Sequence, residues 1–194
     1  MPKANEPEKC ACASQQSVIE LSLTEKRLFE QRKIYLVGAI EEDACIDIIQ
    51  KIEVLNMINS NPISLYITSP GGNIADGFAL VDFIEKSKAP IHTFGIGLNA
   101  SMGAVILASG AKKHRTITKN GTIMLHRASW GTSTDYDANQ EKLSKFLKKE
   151  CEKIYAHIAG IVSKQGKEVK KDCEHGLWLT AKESIAYGLV DGIY

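Results

Sequence analysis

The sequence has almost no net charge: 24 basic side chains against 23 acidic ones leave +1 with histidine neutral. A chain with so little field of either sign is not drawn as a whole to nucleic acid or to an anionic membrane. Long hydrophobic runs are missing as well. The longest, such as Met102 to Ala108, fall far short of a bilayer span. The first residues, Met-Pro-Lys-Ala-Asn-Glu-Pro-Glu-Lys, lack the apolar stretch of a secretory signal. There is no regular disulfide framework, since the cysteines number five: Cys10, Cys12, Cys45, Cys151 and Cys173. An odd count without an export signal suits reduced thiols and a cytoplasmic location. Cys10-Ala-Cys12 has no second Cys/His pair spaced to complete a metal site, so no metal is expected. No long-period repeat, low-complexity block or Pro/Gly-rich linker divides the chain.

What is present is an ordinary globular balance, 44% hydrophobic and 24% charged, over 194 residues, a length that suits one core. Residues 1–17 are small and polar and read as a flexible tail, leaving 18–194 as a single domain. Lys33 to Val37 is a short β-type run. Residues 42–58 keep a helical period, with Ala44, Ile48, Ile52 and Leu55 on one face. Ile63 to Thr68 alternates as a strand and runs into Ser69-Pro70-Gly71-Gly72. Asn73 suits the N-cap of a helix to Lys86, with Ile74, Phe78, Val81 and Ile84 inward. Ile91 to Ile96 is a strand, and an apolar helix follows Ser101 to about Ser109. Segments 114–118 and 122–126 flank Asn120-Gly121, which predicts a hairpin. A long amphipathic helix spans 135–163, with Leu143, Phe146, Leu147, Cys151, Ile154, Ile158 and Ile161 as its apolar stripe. Short helices at 167–174 and 181–187 and a strand at 189–193 complete an α/β pattern.

Three places could carry chemistry. Ser101 stands between a strand and a helix in Asn-Ala-Ser-Met-Gly, where a sharp turn pushes out the hydroxyl and the next N–H groups point the same way. That supplies a nucleophile with an oxyanion donor at Met102; a plain helix N-cap beside a packing glycine is the alternative. In Ser69-Pro70-Gly71-Gly72, the paired glycines free N–H groups for an anion, or simply make a turn. The turn lacks the Lys-Ser/Thr ending of a phosphate loop. His126 closes the apolar strand 122–126, where it can act as a general base or as a hydrogen-bonded structural group. His92, His114 and His157 have no comparable setting and read as structural or surface groups. A serine hydroxyl needs a base, and the tetrahedral oxyanion needs preorganised donors. Ser101, His126 and the two glycine-flanked turns supply these for acyl transfer, without an acid to orient His126.

With those residues in view, the sequence resembles the ClpP family, the peptidase subunit of ATP-dependent Clp proteases, over about residues 27–193. The resemblance rests on Leu65 to Gly72, then Gly77 and Asp82. It continues through Ala100-Ser101-Met102-Gly103-Ala104 and Leu107 to Lys112. It closes with Ile123-Met124-Leu125-His126 and Ala186-Tyr187-Gly188-Leu189-Val190-Asp191. It implies a ClpP/crotonase-type fold, a superhelix of β-β-α units in which helix 135–163 is the handle between two rings. The family nucleophile falls on Ser101, its histidine on His126, and its oxyanion donors on the N–H groups of Gly72 and Met102. The implied activity is a serine endopeptidase acting on unfolded polypeptides in a chamber of stacked seven-membered rings. The implied partner is a Clp-type AAA+ ATPase, which would use the ATP; no cofactor is expected in this chain.

The sequence departs from that family at defined places. The position of the family's third catalytic residue, an aspartate, reads Gly176, just before Trp178-Leu179-Thr180-Ala181. Asp172 and Glu174 lie nearby, and Asp172 is the candidate replacement. On the ATPase-docking surface Tyr66, Phe94 and Ile96 suit an apolar loop, whereas Ser64, Thr116 and Thr118 are polar. After His126 only Gly131 remains of a glycine-rich strand, and Trp130 narrows the cleft. Two other readings stand beside the peptidase. One is an inactive or weakly active structural ring subunit, supported by Gly176. The other is a crotonase-type acyl-CoA enzyme, which shares the fold but works without such a serine.

Overall fold

The computed structural model describes residues 22–127 and 139–194. The tail expected over 1–17 and the stretch with Trp130 and Gly131 lie outside the described residues. The chain alternates strands and helices from α1 (Leu23–Glu30) and β1 (Lys33–Val37) through α2 (Glu42–Ile58), β2 (Ile63–Ser69), α3 (Ile74–Lys86) and β3 (Ile91–Ala100) to α4 (Met102–Ala108). Then come β4 (Arg115–Ile117), β5 (Thr122–Leu125), α5 (Asn139–Val162), α6 (Gly166–Asp172), β6 (Leu177–Thr180), α7 (Ala181–Tyr187) and β7 (Gly192–Ile193). Parallel strands need crossovers, and α2 and α3 supply them between β1, β2 and β3. Among the described residues the sheet has seven strands in the order β1-β2-β3-β4-β7, with β5 beside β3 and β6 beside β5. Only the β5–β6 pair among the described residues is antiparallel.

The core lies between this sheet and the helices. Central β2 carries Leu65 and Ile67, both 0% exposed, where truncation to alanine costs about 2–5 kcal/mol. On α2 the residues Cys45, Ile48, Ile49, Ile52 and Leu55 are buried, so Ile48, Ile52 and Leu55 of the expected stripe face inward while Ala44 is half-buried. Asn73 caps α3 by accepting from the N–H groups of Ala75 and Asp76. No helix among the described residues is long and apolar enough to cross a membrane.

Four features differ from the reading of the sequence. First, 114–118 and 122–126 do not form a hairpin. β4 runs parallel to β3 at Thr93–Gly95 and β5 runs parallel to β3 at Leu98–Ala100. Ten-residue β3 offers one edge long enough for both, and the Gly121 N–H···Thr118 O turn at 2.8 Å steps the chain onward instead of reversing it. Both Ile117 and Ile123 stay fully buried that way. Second, Phe146 belongs by its spacing to the apolar stripe of α5 but is 55% exposed. This helix packs on α4 and α6, and its buried apolar side chains Tyr155, Ile158 and Ala159 belong to its second half. Third, a helix not expected from the sequence pattern, α1, precedes β1, started by the capping box of Ser22 and Glu25. Fourth, Leu177–Thr180 forms a strand, β6, that the sequence pattern does not announce; its register with β5 is set by tertiary pairing.

Candidate active site

The site forms where β2 and β3 end together. Strand β2 closes at Ser69, which pairs with Asn99 across the sheet. Its Oγ accepts the Gly71 N–H at 3.0 Å, which folds the turn back on itself. Gly71 has φ +97°, and a Cβ there would stand 2.5 Å from Ser101 Cβ. No side chain fits between this turn and the serine.

Ile40 fixes the direction of the next peptide. Its N–H donates to Gly71 O at 3.0 Å and its carbonyl accepts from Asn73 N–H at 2.8 Å. In that parallel bridge the Gly72 N–H turns away from Ile40. Since β2 lies between β1 and β3, this is the side of β3 and Ser101.

Ser101 stands at the junction of β3 and α4 with φ 54° and ψ −124°. A non-glycine residue in such a region costs about 1–3 kcal/mol and persists only where its surroundings over-determine it. Here they do: its N–H donates to Met124 O at 2.7 Å, and its carbonyl accepts from Ala104 and Val105 at 3.1 and 3.2 Å. The backbone is clamped on both sides while the side chain remains half-buried. No side chain caps α4, so the Met102 N–H, first in the helix, has no carbonyl in the preceding turn to reach.

His126 follows β5 directly. Pairing of Ala100 with Met124 carries Ser101 and His126 to the same end of β3 and β5. The imidazole is half-buried, and its Nδ1 lies 2.7 Å from its neighbour's carbonyl, Arg127 O. Among the described residues no hydrogen bond joins Ser101 Oγ to His126, and such contacts are often loose before substrate binds. The antiparallel pairing ends at Leu125 and Leu177, so Gly176, with φ +84°, is the next residue on the side of His126.

Asp172 ends α6. Its Oδ2 accepts from Lys164 Nζ at 2.8 Å and from Tyr187 OH at 2.7 Å. The Lys164 ammonium also stands 4.0 Å over the Tyr187 ring. The hydrogen bond from Lys164, then that from Tyr187, holds the Asp172 carboxyl below its ordinary value. Burial first, then this carboxylate, pushes the Tyr187 phenol well up. The structure thus gathers Ser101, His126, Gly72 and Met102 around one strand end and ties Asp172, at the end of α6, into a staple with the α5–α6 turn and α7. Two backbone features go beyond the reading of the sequence: Gly71, one of the paired glycines, lies directly against the serine, and the Arg127 carbonyl meets the His126 ring. The paired glycines were a signal for the first; a carbonyl leaves no signal.

A family model described as Clp protease matches residues 16–194. The chain is 37% identical over 173 residues to an ATP-dependent Clp protease proteolytic subunit of Streptococcus equi subsp. equi, covering 86% of each chain. It is 36% identical, with the same coverage, to a protein of the same description from Streptococcus pyogenes serotype M5.

Proposed function

The chain belongs to the Clp protease family, and from that premise we propose that it is a serine endopeptidase. It hydrolyses peptide bonds of unfolded proteins or peptides. Ser101 Oγ attacks the scissile carbonyl as His126 takes its proton, and the N–H groups of Gly72 and Met102 receive the oxyanion. The leaving amine takes the proton back, and water then releases the acyl group from Ser101 by the reverse sequence. Asp172, bonded to Lys164 and Tyr187, serves this reading as a staple of the fold. The single observation that carries the proposal is the clamped, strained backbone of Ser101, φ 54°, opening an uncapped helix. The chemistry needs no cofactor in this chain.

The assembly follows the same reading. The exposed Phe146 on the first half of α5 supports a handle buried between two stacked seven-membered rings. Tyr35, Tyr66 and Phe94 stack across β1, β2 and β3 at centroid distances of 4.8 and 4.7 Å, with Tyr194 edge-on to Phe94 at 5.1 Å. This apolar face supports docking of an ATP-dependent Clp-type unfoldase. A cytoplasmic setting completes the proposal and rests on the odd cysteine count. Gly176 on the side of His126 favours a second reading, a structural ring subunit without turnover. A fluorescent fluorophosphonate separates the two. Labelling of wild type and not of Ser101→Ala establishes the activated serine; no labelling of a folded oligomer, with or without the ATPase, removes the peptidase proposal.

A further inference from the structure

We infer that the backbone carbonyl of Arg127 takes the orienting role of the absent acid, holding His126 as the Nδ1–H tautomer so that Nε2 keeps the lone pair that receives the Ser101 proton. This rests on the peptidase reading above. A carbonyl oxygen only accepts, so the 2.7 Å contact between it and Nδ1 requires the hydrogen on Nδ1. The partner of one ring nitrogen decides which nitrogen is protonated. The other nitrogen, Nε2, is then the one able to act as base.

Among the described residues, the surroundings favour this carbonyl over an acid. The antiparallel pairing ends at Leu125 and Leu177, so Gly176, which has no side chain, is the next residue of that chain segment on the side of His126. The N–H groups of Arg127 and Gly176 both donate to Cys173 O, at 3.0 and 3.2 Å, which holds Arg127 beside the histidine. Asp172, one residue before Cys173, has its carboxylate committed to Lys164 and Tyr187. In a studied serine triad, the wrong tautomer after exchange of Asp for Asn cost about 10⁴ in turnover. A carbonyl avoids that loss by fixing the tautomer. It contributes no negative charge to stabilise the imidazolium formed as Ser101 attacks. Arg127 is therefore a positioning residue, acting through His126.

The test is ¹⁵N NMR of the full-length oligomer labelled at histidine, with His126 assigned from the signals lost in His126→Gln, alongside kcat against pH for wild type and Asp172→Asn. The expected spectrum of neutral His126 shows a protonated Nδ1 and a bare Nε2 in both proteins. The expected kcat of Asp172→Asn falls only a few-fold, with the acid limb of its profile in place. An Nε2–H tautomer in the wild type overturns the inference. So does Asp172→Asn that remains assembled but loses turnover by orders of magnitude with a displaced acid limb. Fluorophosphonate labelling of the same sample keeps the two levels apart. Labelled Ser101 with the wrong tautomer sinks the carbonyl's role alone, whereas unlabelled Ser101 sinks the peptidase reading.

Discussion

The two ends of helix α4 each carry a serine beside a histidine-bearing element, and they are opposites. At the C-terminal end Ser109 Oγ lies 2.8 Å from a His157 ring nitrogen, and His157 Nδ1 is 3.9 Å from Glu85. By distance this is the more complete Ser-His-acid set. Yet Ser109 is relaxed, with φ −83° and ψ −1°, only 8% exposed, and its Oγ is also 2.8 Å from Val105 O. Nearby carbonyls are satisfied too: Leu107 O accepts from Thr93 Oγ1 at 2.7 Å and Ala108 O from Arg115 at 3.2 Å. Burial first, against the pull of Glu85 and Asp82, makes His157 harder to protonate. At the N-terminal end Ser101 is strained and half-buried, and no side chain caps the amides. One end is saturated with partners; the other is left open to receive a substrate's charge. Short serine–histidine distance marks a settled hydrogen bond, while strain, access and the positive end of the helix mark a nucleophile.

The comparison breaks most visibly in a pair of alanine variants. Ser101→Ala is expected to lower kcat by about 10⁶, the scale of nucleophile loss in a studied serine protease. Ser109→Ala is expected to keep Ser101 labelling and turnover but to lose about 1–3 kcal/mol of stability in urea, because the His157 ring nitrogen is left unpaired. Equal loss of turnover in the two would erase the distinction. Giving His126 the carboxylate that His157 already has sharpens it. Gly176→Asp is expected to raise kcat about fivefold, since a charged acceptor is worth about 1 kcal/mol more than a neutral one. The acid limb should move to higher pH, read from a peptide-substrate rate profile, because a negative neighbour makes His126 easier to protonate.

The smallest effect concerns the saturated end. Asp191 holds Arg115 there with contacts of 2.6 and 2.9 Å. Burial would raise its carboxyl, but the side-chain and backbone hydrogen bonds of Arg115 outweigh burial and hold it below its ordinary value. A depressed carboxylate stabilises the fold above its unfolded value, near about 4, and that stability is lost as pH falls through the folded value. Asp191→Asn should therefore be less stable near neutrality and show a shallower further loss below about pH 4. Denaturant midpoints measured across that window check it.

Much of this was legible in the residues. Asn73 before an apolar period announced α3, and the buried stripe of α2 followed from its spacing. Ser101 and Gly72 stood out because a serine between strand and helix, and paired glycines after a strand, are local patterns whose geometry follows from short-range sterics. The Asn120-Gly121 turn misled for the complementary reason. A dipeptide reports a turn, but whether the next strand doubles back or steps along β3 depends on which edge is vacant. The expected burial of Phe146 failed likewise, because periodicity shows which face is apolar and not what covers it.

The sequence by itself determined the α/β alternation, the family, and which serine and histidine are available, since these rest on local backbone preference and on the order of residues along the chain. Only the tertiary structure decided that β4 and β5 share one edge, that Gly176 falls on the side of His126, that Asp172 is bonded to Lys164 and Tyr187, and that Ser109 rather than Ser101 is the bonded, relaxed serine. Each of those is a pairing between segments far apart in the chain, chosen by packing and by competition for hydrogen-bond partners, which a linear pattern does not encode residue by residue.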